Sequence, residues 1–195
     1  MLLVVAGCSD DELDTPPATT TTTAAAVTSP TTSTTLAAAT PEAAIGPFGT
    51  GRRESTGFPS GPGPTALLTR VRVGHHDHFD RVVFTFENRV PGYRVERTEP
   101  PIREDASGEE IEVAGDAFVA VRMSPASSVD LGGDELRETY TGPRRLPGPG
   151  EVVEVVRTGD FEALLTWVLG TRHADGFAVG TLTSPPRLVV DVRIP

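Results

Sequence analysis

The run Gly176-Phe177-Ala178-Val179-Gly180-Thr181-Leu182-Thr183-Ser184-Pro185-Pro186-Arg187-Leu188-Val189-Val190-Asp191-Val192-Arg193-Ile194 decides the fold. It holds two stretches of strand-type composition separated by Ser-Pro-Pro, which reads as a hairpin. Leu188 to Val192 is apolar at four of five positions. Strand alternation puts Leu188, Val190 and Val192 on one face and Val189 and Asp191 on the other. If the first set faces a core, Asp191 lies on the outer face. If that face is also buried, the carboxylate needs a partner, because a lone buried charge is costly. Arg81 or Arg187 is the expected partner. Asp80, Arg81, Arg187 and Asp191 together are read as structural ion pairs that pin the hairpins.

Working outward, residues 66–195 repeat this pattern. Leu67 to Val73 and Asp80 to Glu87 read as strands joined by a turn over Gly74-His75-His76-Asp77-His78. Further strands are expected at Gly92–Glu96, Glu110–Val113, Ala117–Met123, Glu151–Val156, Glu162–Gly170, Gly176–Leu182 and Arg187–Ile194. Only Glu162–Leu169 fits a helix, with Asp160 as its cap. Thr166, Trp167 and Val168 favour a strand there instead. Many short strands between Gly/Pro turns predict an all-β fold, an antiparallel β-sandwich or barrel.

The closing hairpin, with its Pro-Pro-Arg turn and Leu-Val-Val-Asp strand, resembles that of the AMIN domain. The whole of residues 66–195 resembles the AMIN-like domain of actinobacterial secreted lipoproteins. The residues carrying this are Gly74-His75-His76-Asp77, Asp80-Arg81-Val82-Val83-Phe84, Val90-Pro91-Gly92-Tyr93 and Pro185-Pro186-Arg187. The resemblance implies an antiparallel β-sandwich of two small sheets and a cell-envelope setting. AMIN modules in general attach enzymes or secretion pores to peptidoglycan or the division site.

The N-terminal third has a different composition. Residues 15–40 contain 12 Thr, with Ala, Pro and Ser filling most of the rest. Such a segment has too little apolar surface to offset its ordering entropy. Residues 9–65 are therefore expected to be a disordered Thr/Pro/Gly-rich linker, about 180 Å long if extended. It reads as a passive spacer, and its Thr/Pro tracts are also typical O-glycosylation substrates. Ahead of it, Val5-Ala6-Gly7-Cys8 resembles a lipobox, and Cys8 is the single cysteine. Residues 1–8 are read as a truncated lipoprotein signal segment. Met1 to Val5 would be the last part of its apolar stretch, too short and uncharged for a whole signal. A lipid on Cys8 would place the domain outside the cytoplasm, tethered to the membrane.

The formal net charge is −10, and every basic residue is Arg. An acidic domain lacks the electrostatic footprint of a nucleic-acid binder. His75, His76, Asp77, His78 and Asp80 include metal-ligand types, but neighbours in a strand or tight turn point apart. A polar turn is the better reading, and no metal or cofactor is expected. His173 is too remote to complete a zinc centre. There is no Gly-x-Ser-x-Gly elbow, and Leu131-Gly132-Gly133-Asp134 lacks the Lys of a phosphate loop. The expectation is a non-catalytic envelope lipoprotein whose domain binds cell-wall glycan or an envelope protein. The alternative is a structural or accessory lipoprotein with only a protein partner, and an unrecognised hydrolase ranks last. Candidate contact residues are Tyr93 and Arg94 after the Pro-Gly turn, His76 and His78, and Trp167. As the only Trp, Trp167 is read first as core.

Overall fold

The computed structural model describes residues 43–59, 63–133 and 135–195. Cys8, the lipobox and most of the expected linker lie outside the described residues. The described strands are β1 (Arg53–Glu54), β2 (Ala66–His76), β3 (Phe79–Phe86), β4 (Gly92–Thr98), β5 (Ala117–Ser124), β6 (Ala126–Ser127), β7 (Val129–Asp130), β8 (Arg137–Glu138), β9 (Arg145–Pro147), β10 (Val152–Phe161), β11 (Leu164–Thr171), β12 (Phe177–Thr183) and β13 (Pro186–Arg193). No helix occurs among them.

These strands form two main sheets and a small ribbon. One sheet has six strands in the order β1-β4-β5-β11-β10-β9, and the other has five in the order β12-β13-β3-β2-β6. The ribbon pairs β7 with β8. All pairings are antiparallel except the short β2–β6 contact, which is parallel. The inward residues of both sheets meet in one core. Val82, Phe84, Leu188 and Val190 from the five-stranded sheet pack with Val95, Val121, Val155, Trp167 and Leu169 from the six-stranded one. Trp167 is completely buried between Phe84 and Tyr140, which it meets edge-on at 5.9 and 5.7 Å between centroids. The all-β sandwich is thus the fold. Alternation also holds in β13, where Leu188, Val190 and Val192 belong to that core.

Three local expectations need correction. His75 and His76 are not in a turn: β2 runs through them, opposite Asp80 and Phe79. The turn is only Asp77 and His78. At residues 162–169 the expected strand forms, as β11, and the helical alternative is set aside. These residues form the second half of a hairpin whose turn, Glu162-Ala163, takes left-handed φ values of 50° and 58°. Asp160 caps nothing there; it accepts from the backbone N–H and the hydroxyl of Ser128. Glu110–Val113 is not a strand, apart from a bridge between Glu110 and Arg103. Val113 packs across the outer face of the six-stranded sheet rather than pairing within it, and the Ile111 N–H donates to the Ile102 carbonyl.

The third correction concerns the chain before residue 66. Residues 43–59 were expected to belong to a free linker, but they lie against the domain. Gly49 exchanges two backbone hydrogen bonds with Phe177, and β1 pairs with β4. Ile45 packs at Gly180 and Phe58 lies under the Arg94 guanidinium, so apolar side chains help seat this stretch.

The two sheets differ on their outer faces. Residues 99–116 cross the six-stranded sheet and build a second apolar cluster. In it Ile102 and Val113 pack on Phe118, Ala120 and Val168. Gly170 permits this approach, since a Cβ there would sit 1.9 Å from the Ala114 carbonyl oxygen. Among the described residues no comparable segment crosses the outer face of the five-stranded sheet, apart from the arm 43–59 at one corner.

Candidate functional site

Register fixes which side chains share the outer face of the five-stranded sheet. One rung runs Arg70, Thr85, Arg187, Leu182. The next runs Arg72, Val83, Val189, Gly180, and the third Gly74, Arg81, Asp191, Ala178. His76, Phe79 and Arg193 make the last. Among the described residues the rungs of this face therefore hold Arg70, Arg72, Arg81, Arg187 and Arg193 against one carboxylate, Asp191. In a chain of net charge −10 that is a strong local inversion. Between the rungs lies a trough of about 350 Å³, bordered by Arg72, His76, Arg81 and Arg187 and floored by Val83, Val189, Leu182 and Ile45.

One corner of the face is built as a clamp. Arg81 donates from Nε to Asp191 Oδ1 (2.7 Å) and from Nη2 to Oδ2 (2.8 Å). Asp191 is fully buried, and Oδ2 accepts a further bond from the Ile45 backbone N–H at 2.6 Å. Arg81 also reaches the Ala43 carbonyl at 3.0 Å and lies over the Phe79 ring. Ile45 sits where Gly180 leaves room: a Cβ on Gly180 would lie 2.4 Å from Ile45 Cγ1. The arm thus supplies part of the desolvation that makes the Arg81–Asp191 pair a buried one. His76 stacks on the other part of Phe79, with ring centroids 4.5 Å apart.

Arg70 and Arg72 are exposed, and no ion pair or hydrogen bond holds either guanidinium among the described residues. Arg187 does not pair with Asp191. It lies opposite Thr85 and donates to the Pro185 carbonyl at 3.3 Å, within its own turn. Asp80 does not pair with an arginine either. It points inward, fully buried, with Oδ1 2.7 Å from His75 Nδ1 and Oδ2 accepting from the Val152 N–H at 2.8 Å. It therefore ties β3 to β10 across the sandwich.

The remaining sequence candidates are scattered. Trp167 is core and cannot touch a ligand. Tyr93 packs half-buried against the core from the six-stranded sheet. Arg94 is held by Glu54 at 2.5 Å and by the Phe58 ring. His78 is exposed at the β2–β3 turn. Of the expected contact residues only His76 borders the trough. A further feature had no sequence signal: Glu151, nearly fully buried, receives the His173 backbone N–H at 2.6 Å and lies 2.9 Å from its ring Nδ1. That hydrogen bond raises the His173 pKa above its ordinary value, helped by the charges of Glu151 and Asp175 and opposed by desolvation and Arg172. His173 borders a separate hollow of about 230 Å³ with Glu99 and Asp116. The Thr171 hydroxyl in its wall is already committed to the Ala117 and His173 carbonyls.

A family model described as the AMIN-like domain matches residues 66–194. The chain belongs to the AMIN-like domain family. AMIN-like domains are associated with the cell envelope, and the match suggests a peptidoglycan-associated binding domain. No curated protein and no solved structure matches the chain. The match begins at residue 66, so the arm that clamps Asp191 lies outside the AMIN-like segment yet contacts it directly.

Proposed function

We propose that this chain is a non-catalytic envelope lipoprotein, anchored through a lipid on Cys8, whose AMIN-like domain binds peptidoglycan through the outer face of its five-stranded sheet. The observation that carries the reading is the open, arginine-lined trough on that face. Peptidoglycan carries many carboxylates, and a cationic surface on an otherwise acidic protein gives the wall polymer one place to dock. The Thr/Pro-rich segment between Cys8 and residue 43 then acts as the spacer, and its length suits a domain held away from a lipid surface. The test is sedimentation of the full chain with purified peptidoglycan sacculi. Co-sedimentation that weakens as salt rises is expected; a chain that stays in the supernatant at low salt overturns the reading.

A second reading, a protein partner, rests on a different end of the sandwich. Leu131 and Leu136, on the loop joining β7 and β8, are 75% and 68% exposed. They border a cleft of about 630 Å³. Exposed leucines grouped at one cleft are a feature of interaction surfaces. Capture of an envelope protein that is lost with Leu131→Ser and Leu136→Ser, while sacculus binding is absent, would favour it.

A further inference from the structure

We propose that the trough recognises the carboxylates of peptidoglycan's peptide stems and not its sugar rings. This rests on the wall-binding reading and names the part of the wall that is read. Sugar rings are commonly held by exposed aromatic faces, and among the described residues this face presents no exposed Phe, Tyr or Trp. Phe79 is 3% exposed and covered by Arg81 and His76. Trp167 and Tyr140 lie in the core, and Tyr93 belongs to the other sheet.

What the face does present is guanidinium groups. Arg70 and Arg72 are two residues apart on β2 and so about 6.5 Å apart along the strand. Arg187 shares a rung with Arg70 two strands away, about 9.6 Å distant. That spacing is too wide for one carboxylate and suits several carboxylates on one short chain. Arginine presents a planar fork that matches a carboxylate with two parallel N–H bonds. Like charges left unpaired on neighbouring rungs repel each other, and a polyanion relieves that repulsion. Between them, Val83, Val189, Leu182 and Ile45 form an aliphatic floor. Small methyl side chains, such as those of an alanine-rich stem, fit such a floor. A trough of about 350 Å³ accommodates a few residues of peptide.

The test uses the full chain and three probes. One is a soluble disaccharide–peptide fragment of peptidoglycan. The second is the same fragment with its carboxylates converted to methylamides, and the third is a neutral N-acetylglucosamine oligosaccharide. Arg72→Gln/Arg187→Gln is the variant, with its thermal melt recorded to establish that it folds. Amidation or the double substitution is expected to weaken binding of the fragment by at least about tenfold. The neutral oligosaccharide is expected not to compete. Equal binding of the amidated fragment or competition by the oligosaccharide would each overturn the inference. Sacculi that sediment the chain equally before and after amidation would sink the carboxylate claim and leave wall binding standing. Failure of sacculi and fragment alike would sink wall binding itself.

Discussion

The two outer faces of this sandwich start from the same architecture and end in opposite states. The six-stranded face offers Phe118, Ala120 and Val168, and residues 99–116 cover it with Ile102 and Val113. Its arginines are matched by acids: Arg122 with Glu96, Arg94 with Glu54, Arg144 with Glu104 and Arg145 with Glu154. The five-stranded face offers arginines with a single acid among them, and only its Asp191 corner is covered by the arm. Apolar surface gains by being covered, at roughly 25 cal/mol per Å². Unpaired guanidinium groups lose by it, because their desolvation has no compensating partner. Among the described residues the chain therefore closes one face and leaves most of the other uncovered. Gly170 and Gly180 play matching parts, each leaving out a Cβ where a covering segment approaches.

The largest effect should come from the one covered corner of the open face. Asp191→Ala leaves the Arg81 guanidinium and the Ile45 N–H without their acceptor. Breaking a buried pair in this way costs about 3 kcal/mol. Urea unfolding of variant and wild type measures it, and a loss under about 0.5 kcal/mol would mean the corner is solvated like an ordinary exposed pair. Next in size is Ile102→Ala, which opens the sealed face. A truncation in this small cluster should cost about 2 kcal/mol by the same measurement. If it costs nothing, residues 99–116 merely rest on the sheet.

A smaller, pH-dependent effect belongs to neither face and serves as a control. His173 is half exposed, and its pKa is raised in the folded state chiefly by the hydrogen bond to Glu151. The stabilisation from this bond is complete below the unfolded pKa of about 6.5. It fades as pH rises through the raised folded value. Melting temperatures followed from mildly acidic to alkaline pH should fall more for wild type than for His173→Gln. Parallel curves would show that the pair contributes nothing.

How far the sequence was legible depends on what each residue's neighbours supply. The β2–β3 and β12–β13 hairpins were readable because alternation and turn residues are local signals. Burial of Asp191 was readable as a condition, since its strand is apolar around it. The choice of Arg81 over Arg187 was not, because it depends on register: Arg81 lies directly opposite Asp191, and Arg187 lies opposite Thr85. The arm was misread because Gly and Pro dominate residues 46–64, while Ile45 and Phe48 are isolated apolar residues whose seats lie more than a hundred and more than thirty positions away, at Gly180 and Phe79. The trough itself has no linear signature. Arg70, Arg72 and Arg187 come from the two ends of the domain, and only the order β13-β3-β2 gathers them.

The central claim is that ligand touches the five-stranded face and not the six-stranded one. Amide chemical shifts of the isotope-labelled full chain, recorded while the disaccharide–peptide fragment is added, test it most directly. The account predicts shifts concentrated at residues 70–76, 81–85 and 187–189, with residues 99–116 unmoved. Shifts concentrated at 99–116, Phe118 and Val168, with Arg70, Arg72 and Arg187 unmoved, would contradict it.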